Sequence, residues 1–96
     1  MIHTIVTRNA VLKAKELADE TIRLVDSRNA SAALTLAKLS ELREVIEALP
    51  LDTTLESMVW FRNWVRTSQE LWSVGEANAA RYQLLAVRKK LERIAE

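Results

Sequence analysis

Acidic side chains recur at helical spacing in two places. "KELADE" supplies Glu16, Asp19 and Glu20, and "ELREVIE" supplies Glu41, Glu44 and Glu47. Steps of three and four put carboxylates on one face of a helix, and two such faces brought together could hold Mg²⁺ through oxygen ligands alone. A cation held that way polarises a phosphate or activates water. Other routes to catalysis are closed by composition. The chain has no cysteine and a single histidine, His3. That excludes a thiolate nucleophile, a disulfide framework and a paired-histidine metal site, and one histidine near the N-terminus offers no Ser–His–Asp assembly. One glycine cannot form a phosphate-cradling loop.

The fragment "ELAD" (16–19) resembles the ExxD half of the metal site in the all-α nucleotide pyrophosphohydrolases. In that family an ExxE helix precedes the ExxD helix, whereas here "ELRE" (41–44) follows it. The resemblance implies a Mg²⁺-dependent nucleotide hydrolase using Glu16, Asp19, Glu41 and Glu44. Read without it, Glu41 and Glu44 stand beside Lys38 and Arg43 as on any solvated face, since charge runs are usually solvent-facing. The expectation is therefore a non-enzyme, with no catalytic residue, cofactor or metal.

The aromatic side chains are more informative. "MVWFRNWVRTSQELW" (58–72) holds all three tryptophans. On a helical wheel Met58, Trp60, Phe61, Trp64, Val65, Ser68, Leu71 and Trp72 share an arc about 160° wide, whereas an edge helix needs roughly 100°. Met58, Phe61, Val65 and Trp72 suffice for a core stripe. Trp60, Trp64 and Leu71 form a flank, which either packs on a neighbouring helix or is a partner-binding patch of the kind monomers seldom leave exposed. Trp and Arg are over-represented among binding hot spots, so the expected contact surface is Trp60, Trp64 and Leu71 with Arg62, Arg66 and the off-stripe Tyr82. Arg62 and Arg66 fall outside the aromatic arc. A base-stacking platform sets cations beside its rings, so this separation weakens a nucleic-acid reading of the third helix.

The last sixteen residues carry five basic side chains against two acidic ones. Arg81, Arg88, Lys89 and Arg93 lie off the apolar stripe of their helix. They form either a solvated face or a contact for phosphates or an acidic partner. The whole chain has a net charge of +1, so global charge selects neither nucleic acid nor an anionic membrane.

The elements that position these residues are helical. Ala, Glu, Lys, Leu and Arg make up 51 of 96 residues, a bias of long helices. Apolar residues alternate at steps of three and four in four segments, about 9–26, 30–49, 54–72 and 74–95. The stripes are Val11, Ala14, Ala18, Thr21 and Val25; Ala32, Thr35, Leu39, Leu42, Ile46 and Leu49; Met58, Phe61, Val65, Ser68 and Trp72; and Ala77, Ala80, Leu84, Val87, Leu91 and Ile94. "SRNAS" (27–31) and Pro50 break the helices. Thr53 with Glu56, and Ser73 with Glu76 around Gly75, have capping-box spacing. Short connections predict antiparallel neighbours.

The fold expected is an all-α, single-domain, four-helix antiparallel bundle; two long hairpins pairing in a homodimer satisfy the same stripes. Residues 1–7, rich in β-branched side chains, are either a short extended arm or the first turns of helix one. No apolar run is long enough to span a membrane, and a cytoplasmic protein is the default. The function expected is a small adaptor, chaperone-like or inhibitory protein that docks on another protein, a type common among phages and mobile elements. The alternatives are nucleic-acid binding through the basic face of the C-terminal helix and the Mg²⁺-dependent hydrolase.

Overall fold

The computed structural model describes residues 5–27, 29–49 and 56–95, with side chains for 8–27, 29–49 and 62–95. Four helices account for nearly all of them: α1 (Ile5–Asp26), α2 (Ala32–Glu47), α3 (Glu56–Ser73) and α4 (Ala77–Ala95). They pack in a ring, α1 on α2, α2 on α3, α3 on α4 and α4 back on α1. Cross-helix contacts fix the directions. Asp19 and Asp26 of α1 meet Arg88 and Arg81 of α4, so a step forward on one helix is a step back on the other. The bundle is all-α, as the periodicity predicts, and antiparallel, as the short connections predict.

Most described members of each stripe face the common interior. Val11, Ala14, Ala18 and Thr21 of α1, Leu39, Leu42 and Ile46 of α2, Val65 and Ser68 of α3, and Ala80, Leu84, Val87 and Leu91 of α4 are essentially sealed from solvent. Leu17 and Ile22 are buried as well. They flank the α1 stripe on either side and widen it. Ala32 and Ala77, the first members of the second and fourth stripes, are exposed in the opening turns of their helices. Among the described residues the interior also holds three hydroxyls, and each bonds back into its own helix. Thr21 Oγ1 donates to the Leu17 carbonyl (2.7 Å), Thr35 Oγ1 to that of Ser31 (3.1 Å) and Ser68 Oγ to that of Trp64 (2.8 Å). This bonding satisfies the hydroxyls and makes their burial affordable.

The helix ends follow local chemistry. Ser27 Oγ accepts from the Asn29 N–H, and Ser31 caps α2 by accepting from the Leu34 N–H at 3.0 Å. This cap starts α2 at Ala32, two residues later than expected. At the other corner α3 closes with a Schellman arrangement. The Glu76 N–H donates to the Leu71 carbonyl and the Gly75 N–H to that of Trp72, with Gly75 at φ 87°. The expected Ser73–Glu76 capping box does not form. Ser73 is still helical, and its Oγ donates to the Gln69 carbonyl. The Glu76 carbonyl accepts the first bond of α4, from Ala80. The sole glycine takes the left-handed position and sets the corner before any box can. Of the segment offered as an arm, residues 5–7 are helical and begin α1; residues 1–4, and Thr53 of the expected Thr53–Glu56 box, lie outside the described residues.

Candidate functional site

The α3–α4 corner places Trp64 alongside the C-terminal half of α4. The indole is half-buried and packs against the core cluster, as does Trp72. Its outer side joins Ala86, Lys89, Lys90 and Arg93 in lining a depression of about 240 Å³. Ala86 leaves room on α4 for the ring, and the long stems of the three basic residues form the rim. Among the described residues none of these three cations is ion-paired. Tyr82 is 78% exposed. It precedes Ala86, Lys89 and Arg93 at steps of four, three and four, which puts all four on one outward stripe of α4.

The expected basic face is divided by its neighbours. Arg81 binds Asp26 at 2.7 Å, and Arg88 reaches Asp19 at 3.5 Å and its own helix's Glu92 at 3.6 Å. Lys15 joins Asp19 at 3.7 Å. Arg81 and Arg88 thus tie α4 to α1, while Lys89 and Arg93 remain beside Trp64. Lys90, absent from the expected set, is half-buried in the depression. Its role depends on α3 lying alongside, which periodicity within α4 does not report.

The aromatic set is divided too. Arg62 and Arg66 line a different depression with Glu47 and Asn63, on the α2 side of α3. Leu71 is half-buried beside the corner. Trp60 lies one helical turn before Trp64; its side chain is outside the described residues. The structure therefore brings Trp64 together with Lys89 and Arg93 and does not bring it together with Arg62 or Arg66. The separation of rings and cations on the α3 wheel is made good by a second helix.

The carboxylates do not assemble as the hydrolase reading requires. Glu16, Glu20 and Glu41 line a cleft between α1 and α2 with Lys13 and Lys38. Lys38 Nζ spans the cleft, 3.3 Å from Glu20 and 3.4 Å from Glu41. The hydrogen bond to Glu20, then the charge of Glu41, raises its pKa above the ordinary lysine value. Asp19 is engaged on the opposite flank of α1 by Arg88 and Lys15. Among the described residues no three His, Asp or Glu side chains converge on a cation position, and no helix is long and apolar enough to cross a membrane. No protein-family model, curated protein or solved structure matches the chain.

Proposed function

We propose that the chain is a small non-enzymatic, cytoplasmic interaction protein, an adaptor or inhibitor, that docks on another protein through its α3–α4 face. One observation carries this reading: a half-buried indole, Trp64, sits at the surface among Lys89, Lys90 and Arg93, with no described carboxylate paired to them. Trp and Arg are among the residues most enriched in binding hot spots. The core supports the rest of the ring, so the anchor is held in place before a partner arrives, which lowers the ordering cost of association.

The test is affinity capture with the native chain and with a Lys89→Glu/Arg93→Glu variant, both checked for helicity by circular dichroism. A protein retained by the native chain and lost from the folded variant supports docking here. Identical capture by both, or capture by neither, removes the reading. Contact with single-stranded nucleic acid is the second reading, favoured by the same closeness of cations to a ring. Filter binding of an oligonucleotide that is negligible at about 50 mM salt dismisses it.

A further inference from the structure

We infer that the α3–α4 face recognises a short acidic segment of a partner protein, one that also carries an aromatic or branched apolar side chain. This rests on the docking reading above and specifies the partner's chemistry. Three cations, Lys89, Lys90 and Arg93, surround the depression, and Trp64 and Ala86 supply its apolar lining. Tyr82 extends the stripe outward. A ligand that leaves no unpaired charge must bring carboxylates for the rim and an apolar group for the indole. Charge complementarity of this kind fixes register and speeds encounter.

Size also favours a peptide. From Tyr82 to Arg93 the stripe runs about 16 Å at 1.5 Å per helical residue, the span of roughly five extended residues. A long polyanion would overrun the patch. Beside the patch, on the flank of α4 that faces α1, stand Glu92 and, across the seam, Asp19, each facing Arg88, and the chain as a whole carries only +1. A polyanion gains little outside the patch, whereas a few carboxylates lose nothing by stopping at its edge.

The experiment is calorimetric titration of the full chain with four probes. They are a short peptide of Asp and Glu carrying one Phe and one Leu, its Asn/Gln analogue, an oligothymidine, and the chain itself by dilution. The acidic peptide should bind at about 50 mM salt, weaken at about 200 mM, and lose at least about tenfold in affinity with Lys89→Glu/Arg93→Glu. The Asn/Gln analogue should bind at least about tenfold more weakly. Equal binding of the analogue, tighter binding of oligothymidine, a dominant heat of self-dissociation, or no saturation by the acidic peptide would each overturn the inference. If any of these occurs while affinity capture still depends on Lys89 and Arg93, the docking reading stands and only the acidic-segment chemistry fails.

Discussion

Helix α4 sends basic side chains to two neighbours and meets opposite receptions. On the α1 side, Arg81 and Arg88 find Asp26 and Asp19, and the charges cancel across the seam. On the α3 side, Lys89, Lys90 and Arg93 find the Trp64 indole. The residues are alike in type and adjacent in sequence. What separates them is the adjoining helix: α1 supplies carboxylates at that level and α3 supplies Trp64. A basic residue on a bundle helix is thus structural or available according to what stands across the groove, and its own helix does not decide which.

That contrast can be broken in several ways. Trp64→Ala should destabilise the chain by about 2 kcal/mol in urea unfolding, below the 3–5 typical of a fully buried aromatic because one side of the ring is open. A change near zero would mean that the ring does not anchor the α3–α4 face. Gly75→Ala should cost about 1–2 kcal/mol. A methyl there meets no atom within 4 Å, so the whole loss reflects the left-handed backbone at φ 87°. Gly75→Asn should recover part of it. Reversing the α1 seam with Arg81→Glu/Arg88→Glu should cost about 1 kcal/mol at low salt and less at high salt. The matching reversal, Lys89→Glu/Arg93→Glu, should move stability by under about 0.5 kcal/mol. Equal losses from the two reversals would erase the distinction between the seams.

The α1–α2 cleft offers a third, pH-dependent case. Lys38 has a raised folded-state pKa, so its contribution is intact below the ordinary lysine value and is lost as pH climbs through the raised one. Stability curves of native chain and Lys38→Met should therefore differ most near neutral pH, converge in strongly alkaline solution where the lysine loses its charge, and also approach one another in strong acid, where carboxylates lose theirs. A gap that persists unchanged into strong alkali would contradict the assignment.

Sequence reading recovered what repeats along one helix. The stripes of α2 and α4 are buried from Thr35 to Leu49 and from Ala80 to Leu91, because a 3–4 alternation admits one inward face. It missed Leu17 and Ile22, which lie on either side of the α1 stripe at the edges of its buried arc. It assigned Ser73 and Glu76 to a capping box because their spacing fits, but a glycine free to adopt positive φ won the corner. The site was legible only in halves. The wheel of α3 flagged Trp64 and the charge excess of α4 flagged Lys89 and Arg93, yet the two signals lie some twenty-five residues apart in the chain. Nothing in either helix states that they meet, or that Lys90 joins them.

The inward-facing hydroxyls carry a consequence of their own. Thr21, Thr35 and Ser68 each complete their bonding one turn back along the same backbone, so none asks anything of the helix opposite. An interior built this way matches its neighbours by shape alone. Polar recognition between helices then lies outside it, in ties such as Arg81 to Asp26 and Gln69 to Ser40.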